Sequence, residues 1–288
     1  MNKYVRGGGD NDTQLKRTEK IRRLEIKVLS AVQWGKTIKV LVLTLFFTAV
    51  VIAVSSAAHP LITDDTGTQG KGKFQIELFG EYGYDKEEGL TTKATDLAAT
   101  FTYGIIDQVD IVLSVPYRFL RAGDDESTEK ADGISDLAIE AKWRFYENKG
   151  LSFALKPGFT LPTGNEDRDL GNGRSTYYLY FITSKEIDPW SFHINLAYIR
   201  NENKGDDRND IWHASLASTF EVIKNLKLVG DIGVETNPER SSTVCPAYIL
   251  GGFIYSVKEN YDIGIGVKGG LTKPETDISV RGGITWRF

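Results

Sequence analysis

The chain has one cysteine, one methionine and, beyond residue 54, no apolar run long enough to span a membrane as a helix. The single cysteine, Cys245, excludes an intrachain disulfide and disfavours a cysteine-based metal site. An excess of basic residues is also lacking. Without the ten basic and four acidic residues of 1–58, the remainder has 25 basic and 35 acidic residues, a net charge of −10. That sign disfavours a nucleic-acid partner.

The only long apolar run lies at residues 40–54, VLVLTLFFTAVVIAV. Lys36 and Lys39 precede it, and small residues follow it as far as Ala58. This pattern predicts a secretory signal peptide over residues 36–58, cut after Ala58. The alternative is an uncleaved anchor helix, for which 15 residues are few. We interpret residues 1–35 as an extended basic n-region or a mis-assigned translation start, and 59–288 as the mature domain.

From His59 onward the sequence shows no helical period, and its recurring feature is alternation of apolar and polar residues. Each alternating segment covers about 10–14 residues and is followed by a polar or glycine-containing gap. The predicted strands are Lys73–Tyr84, Thr92–Tyr103, Gln108–Leu120, Ile134–Tyr146, Leu151–Pro162, Arg174–Glu186, Trp190–Asn201, Asp210–Val222, Asn225–Thr236, Val244–Val257, Tyr261–Leu271 and Asp277–Phe288. Their number is even, as a single-chain bacterial outer-membrane barrel requires.

The last of these segments, DISVRGGITWRF, shows the alternation clearly. Trp286 and Phe288 fall on its apolar side, whereas Arg281 and Arg287 fall on its polar side. An apolar side facing lipid and a polar side facing a lumen explain this pattern, with aromatic residues at the membrane interface. The predicted aromatic girdle contains Trp143, Tyr261, Trp286 and Phe288.

The gaps between segments alternate between long, acidic loops and short turns, which is the outer-membrane pattern. Examples of the long kind are Asp85–Gly89, Arg121–Gly133 and Thr163–Gly173, and the short kind includes Glu147–Gly150. The sequence therefore predicts an all-β fold, an antiparallel transmembrane β-barrel of about 12 strands after a cleaved N-terminal signal helix. The alternative is a soluble antiparallel sandwich, which would have shorter strands and no regular alternation of loop lengths.

Charged and imidazole side chains on the polar side of the strands are predicted to line the lumen. A narrow barrel must pair such groups, since an unpaired buried charge is costly, and the same network would shape a permeation path. The candidates are Glu77, Glu81, Asp110, Arg118, Glu140, Lys142, Arg144, Lys156, His193, His213, Lys227, Asp231, Asp262, Lys268, Arg281 and Arg287.

Catalytic and metal-binding patterns are weak. His213 and Ser215 share one side of a strand and Asn195 belongs to its neighbour, but i, i+2 side chains lie ~7 Å apart, too far for a nucleophile and its base. His193 and His213 lack a third metal ligand. The loop GNEDRDLGNG has carboxylates between glycines without the EF-hand spacing. We predict no catalytic residues, no bound metal and no cofactor.

Several segments in order resemble an outer-membrane family named for the MetA pathway of phenol degradation. These are HPLITDDTGTQGKGKFQIE, DIVLSVPYRF, GISDLAIEAKWRF, LKPGFTLPTG, YSVKENYDIGIGVKGGL and the terminal GITWRF, which together span nearly all of 59–288. The resemblance implies an outer-membrane barrel that passes small molecules, among them hydrophobic or aromatic ones. The family has no catalytic residues to carry over.

The sequence therefore predicts a passive channel in the cell outer membrane. Its expected partners are membrane lipid, a small-molecule solute and, through the C-terminal strand, the outer-membrane assembly machinery. Two alternatives stay open. A closed barrel could act as a structural or surface-binding module, which segment 59–72 folded into the lumen would favour, and a lipid-acting barrel enzyme would depend on His213.

Overall fold

A computed structural model describes residues 59–87, 89–123 and 128–288. The predicted signal peptide and the segment before it lie outside the described residues. The strands are β1 (Phe74–Glu87), β2 (Leu90–Ile106), β3 (Val109–Gly123), β4 (Thr128–Ile134), β5 (Leu137–Asn148), β6 (Leu151–Leu161), β7 (Tyr177–Ile187), β8 (Trp190–Arg200), β9 (Asp210–Ile223), β10 (Leu226–Glu235), β11 (Ala247–Lys258), β12 (Tyr261–Gly270) and β13 (Ile278–Arg287). Among these residues, no helix is long and apolar enough to cross a membrane.

The strands form one antiparallel sheet that closes on itself. β1 pairs with β2 on one edge and with β13 on the other, so first and last strands are neighbours. β4 and β5 both pair with β3, β4 along Tyr117–Gly123 and β5 along Val109–Ser114. They are therefore one interrupted strand, and the barrel has twelve wall strands. Closure gives every wall strand two hydrogen-bonded neighbours, which hydrocarbon demands of a spanning sheet.

The two faces of the wall differ as the alternation predicts. Phe253 and Ile265 on the outer face are 50% and 58% exposed, whereas Leu250 and Ile254, their inward neighbours, are 2% and 5% exposed. In the sequence, the segment that forms β7 has aromatic residues at both sets of alternating positions. Tyr177 is exposed on its outer face, whereas Tyr178 lies on the inner face against Gly158. The outer surface is thus a continuous apolar band and the interior is largely polar.

The two rims of the barrel differ as well. Connections at the rim that carries Lys73 and Phe288 are tight. Lys149 and Gly150, for example, join β5 to β6 with φ of 49° and 72°, as a two-residue type I′ hairpin requires. Thr163–Gly173, at the opposite rim, forms a long loop with one 3-10 turn, Glu166–Arg168. We refer to these as the short-turn rim and the long-loop rim.

Two of the predicted long loops are wrong. Asp85–Gly89 is mostly strand, because β1 continues to Glu87 and β2 begins at Leu90. Arg121–Gly133 likewise continues as strand on both sides, with β3 reaching Gly123 and β4 beginning at Thr128. Beyond the membrane both faces of a hairpin meet water, so backbone pairing continues without the apolar alternation that marked the strands in the sequence.

Candidate functional site: the barrel lumen

A chain segment without secondary structure crosses the inside of the barrel. Residues His59–Gln69, which we call the plug, precede β1 and turn inward at Gly70. Close packing at this entry requires glycine, because a Cβ on Gly104 would lie 1.9 Å from the Gly70 carbonyl oxygen. At its other end the plug presses on β12, where a Cβ on Gly264 would lie 1.6 Å from the His59 carbonyl oxygen.

Asp231 of β10 binds the first half of the plug. Its Oδ2 accepts hydrogen bonds from the backbone N–H of Ile62 at 2.7 Å and of Thr63 at 2.8 Å. Its Oδ1 accepts from the Thr63 hydroxyl at 2.7 Å and from the Tyr248 hydroxyl at 3.2 Å. Asp231 is 3% exposed, so these donors replace the water that its carboxylate would otherwise bind.

The second half of the plug is held by uncharged side chains and one carboxylate. Asn195 of β8 pairs with the Asp64 backbone in both directions, each at 2.8 Å. The Thr66 N–H donates to the Ser184 hydroxyl at 3.1 Å, and the hydroxyls of Thr66 and Ser152 lie 2.5 Å apart. The Gln69 N–H donates to the carboxylate of Asp110 at 2.9 Å.

Charged side chains pair across the lumen around Asp64. Its carboxylate lies 2.8 Å from the Lys142 ammonium and 3.0 Å from that of Lys156. Lys156 also lies 3.4 Å from Glu140, so β5, β6 and the plug share one network. Removing one member would leave the other charges of this network buried without full compensation.

A second charge network joins β1, β12 and β13. Glu81 binds Arg281 at 2.6 Å and lies 3.5 Å from Lys268, which in turn binds Glu275 at 2.7 Å. Arg281 also donates from Nε to the carbonyl oxygen of Pro60 at 3.1 Å. The plug therefore contacts charged groups on both sides of its path.

The structure places the predicted lumen residues on the inner face. Its two charge networks bring together six of them: Glu81, Glu140, Lys142, Lys156, Lys268 and Arg281. The others lie along the lumen or near its ends: Glu77, Asp110, Arg118, Arg144, His193, His213, Lys227, Asp231, Asp262 and Arg287. Their part in permeation stays a prediction.

Sequence reasoning missed the uncharged residues that hold the plug. Asn195, Ser152 and Ser184 are 1%, 8% and 4% exposed and bind plug atoms directly. Asn195 and Ser152 do occupy polar positions in the alternation, which was the available signal. Their small neutral side chains did not distinguish them from other wall residues.

The predicted aromatic girdle lies on the outer face at the short-turn rim. Trp286 and Phe288 have ring centroids 5.3 Å apart, and Phe288 stacks at 5.8 Å on Phe74, the first residue of β1. Trp143 is 50% exposed, and Tyr261 pairs with Trp286 across β12 and β13. The long-loop rim carries further exposed aromatics, including Trp212, Tyr198 and Phe119.

The residues that suggested catalysis do not assemble into a triad. His213 Nδ1 lies 3.4 Å from Glu235, and no hydrogen bond joins it to Ser215. The Ser215 hydroxyl is buried without a partner. His193 Nδ1 lies 2.8 Å from the Ser184 hydroxyl, within the plug-binding groups. No group of three or more metal-ligating side chains occurs in residues 59–87, 89–123 and 128–288.

The loop with calcium-like composition is ordered by the protein itself. Asp136 accepts hydrogen bonds at 2.9 Å from the backbone N–H of Gly164 and of Asn172, one near each end of the loop. Glu166 accepts a hydrogen bond from Lys204 of the neighbouring loop. That bond lowers the pKa of the Glu166 carboxyl from its ordinary value.

Open space remains on both sides of the plug. A cavity of about 310 Å³ lies between the plug and the wall formed by β1, β2, β3, β5 and β6. A second, of about 380 Å³, opens at the short-turn rim and is bounded by Asp65, Thr66 and Gly67 of the plug. A third, of about 780 Å³, lies below the long loops beside Arg118 and Asp96. The plug thus lies between the cavity at the short-turn rim and the cavity below the long loops.

A model of the family described as "Putative MetA-pathway of phenol degradation" matches residues 59–288. The chain belongs to this family. The family therefore covers the barrel and the plug, and the predicted resemblance is confirmed. No curated protein matches the chain.

Solved structures extend the likeness to the fold. The crystal structure of the COG4313 outer membrane channel from Pseudomonas putida F1 superposes with a TM-score of 0.62 at 15% identity, covering 78% of this chain and 98% of that chain. The NanC porin superposes with a TM-score of 0.52 at 9% identity, covering 73% and 98%. The predicted antiparallel outer-membrane barrel is thereby confirmed. Identities this low show the fold alone.

Proposed function

We propose that this barrel is an outer-membrane channel through which small molecules diffuse passively. The observation that carries the proposal is a polar, charge-lined lumen with open space on both sides of the plug. Two structures that resemble it in fold are described as an outer membrane channel and a porin, which supports the same class of function. Membrane lipid and a solute are then its partners, and the C-terminal strand would be presented to the assembly machinery.

We further propose that the solutes of this channel are hydrophobic or aromatic small molecules. Leu61 of the plug packs inside the barrel against Val229, Leu250, Ile254 and Tyr248, which gives the lumen an apolar strip beside its charges. A solute with an aromatic ring and a polar group would contact both kinds of surface. The family description, which refers to phenol degradation, agrees with such a solute.

The plug favours a second candidate function. A lumen occupied by residues 59–69 is what a closed barrel would show, and such a barrel would act as a structural or surface-binding module. Swelling of liposomes that contain the purified protein separates the two functions. We expect swelling in small neutral solutes, with a phenyl glycoside entering faster than a disaccharide. Swelling no faster than that of protein-free liposomes in every solute would establish the closed barrel instead.

A reversible lock tests whether solutes pass by displacing the plug. The hydroxyls of Thr66 and Ser152 are 2.5 Å apart, so Thr66→Cys with Ser152→Cys should form a disulfide that ties the plug to β6. Cys245 is exposed and is replaced by serine to prevent side reactions. We expect oxidation to slow swelling and reduction to restore it. The Cys245→Ser parent, treated in the same way, should not respond. Equal swelling of the oxidised and reduced forms would show that solutes pass a stationary plug.

A further inference from the structure

An apolar patch interrupts the polar inner face of β9, β10 and β11. Its side chains are 5% exposed or less and face the plug: Ala217, Val229, Tyr248, Leu250 and Ile254. The interior of a transmembrane barrel is ordinarily polar, so inward apolar residues on three neighbouring strands need a separate explanation. Leu61 of the plug, itself 7% exposed, covers this patch.

Asp231 lies at the centre of the patch. In the register of the wall it pairs with Ala217 on β9 and with Leu250 on β11. Its carboxylate accepts hydrogen bonds from the plug through the Ile62 N–H, the Thr63 N–H and the Thr63 hydroxyl. The patch thus presents a carboxylate acceptor surrounded by apolar surface, and the plug fills it with a leucine side chain and adjacent donors.

The plug residue that covers the patch also borders open space on two sides. Leu61 lines both the cavity of about 310 Å³ beside the plug and the cavity of about 380 Å³ at the short-turn rim. Ile62 and Thr63 line the first of these cavities, and Ile254 of the patch lines the second. A small molecule in either cavity therefore lies next to the contact between the plug and the patch.

From this geometry we propose that the patch binds small uncharged hydroxyl compounds with a compact apolar body, and that Leu61–Thr63 of the plug occupies it as a substitute for such a solute. The solute hydroxyl donates to Asp231 in place of Thr63, and the apolar body takes the place of the Leu61 side chain. A buried carboxylate that loses the donors of the plug must regain a donor, because leaving it unsatisfied is costly.

The consequence is that the solute releases the plug. The solute and Leu61 cannot occupy the patch together, so binding of one shifts the population away from the other. The inference rests on the proposed channel function, since it names a solute class for that channel and the way in which its plug opens.

Hydrogen exchange of the plug amides in the purified, plug-containing barrel in detergent tests the competition. We expect benzyl alcohol to accelerate exchange at Ile62 and Thr63, whose N–H groups bind Asp231, because it holds the patch while the plug is released. Benzyl methyl ether has a similar apolar body but no hydroxyl donor, so it should have little effect at the same concentration. Exchange at Val229, in the ladder of the wall, should not respond to either compound.

Plug variants provide a readout that a packing role alone would not move. Leu61→Ala weakens the plug at the patch, and Asp64→Asn weakens it at the separate contacts with Lys142 and Lys156. Because the plug then competes less, equilibrium dialysis should show that each variant binds benzyl alcohol more tightly than the parent, by about tenfold or more. Asp206→Asn, at an exposed loop carboxylate, should bind like the parent.

No acceleration of exchange by benzyl alcohol, equal acceleration by benzyl methyl ether, or unchanged affinity in either plug variant would each overturn the inference. Neither measurement requires transport, so both are separate from liposome swelling. A barrel whose plug is released by benzyl alcohol and which yet passes no solute would overturn the channel and leave the site standing. A barrel that swells while its plug amides ignore benzyl alcohol would do the reverse.

Discussion

The barrel wall and the plug satisfy their backbone groups in two different ways. In the wall, each strand bonds to its neighbours, as in the continuous register from Phe74–Tyr103 to Glu87–Leu90 between β1 and β2. In the plug, backbone N–H groups donate instead to wall side chains, among them Asp231, Ser184 and Asp110. The wall is therefore complete without the plug, whereas the plug depends on single side chains from several strands.

Because of this difference, the stability of the wall and the position of the plug depend on different interactions. Hydrogen bonds in a closed ladder are lost only when the sheet itself opens, so the wall should resist local change. A segment held by side chains loses its place when a few of them are removed, because its own backbone offers no alternative pairing. The wall would thus set the overall fold, and the plug would set how much of the lumen is open.

Removal of the plug should produce the largest effect. We expect a chain that begins at Gly70 to form the same barrel, because no ladder pairing involves residues 59–69. Its conductance in planar bilayers should rise severalfold, since three cavities would merge into one path. Circular dichroism checks the strand content. Failure of this variant to form a barrel would show that the wall depends on the plug, and unchanged conductance would show that the plug does not limit the path.

Loss of one charge in the plug should have a smaller effect. Asp64→Asn keeps the side-chain size but removes the carboxylate that lies 2.8 Å from Lys142 and 3.0 Å from Lys156. Lys156 keeps its ion pair with Glu140 at 3.4 Å. We expect the free energy of local plug opening to fall by about 3 kcal/mol, since a buried charge loses its partner. Hydrogen exchange of the Ile62 and Thr66 amides measures this energy.

The control for this charge is Asp206→Asn, whose fully exposed side chain lies in a loop at the long-loop rim. It removes the same charge and should leave exchange in the plug unchanged. Equal exchange in Asp64→Asn and the parent would mean that the hydrogen bonds between the plug and Asp231 and Asn195 hold the plug without help from the ion pairs.

The same contrast explains what could be predicted from the sequence. Alternation of period 2 fixed the wall strands and placed Phe253 outward and Asp231 inward, because lipid and lumen impose opposite requirements on successive residues. The plug has no period. Its position depends on Asn195 and Ser184, which are distant in sequence, and on space left by Gly104 and Gly264. No local pattern encodes such a set of contacts.

The smallest of these effects should come from the removal of an apolar contact between the plug and the wall. Leu61 is 7% exposed and packs against Val229, Leu250 and Ile254 inside the barrel. We expect Leu61→Ala to lower the free energy of plug opening by about 2 kcal/mol, the low end for a buried leucine, because the plug can shift and water can enter the lumen. Hydrogen exchange at Ile62 and Thr63 should therefore accelerate less than in Asp64→Asn.

A matched control removes an apolar side chain from the other face of the same wall. Ile232 of β10 is 46% exposed on the outer face, three residues from Val229, which faces the plug. Ile232→Ala takes away contacts with lipid and none with the plug, so exchange at Ile62 should match the parent. If the two alanine variants accelerated exchange equally, the wall and the plug would be energetically coupled. The stability of the wall and the position of the plug would then not depend on separate interactions.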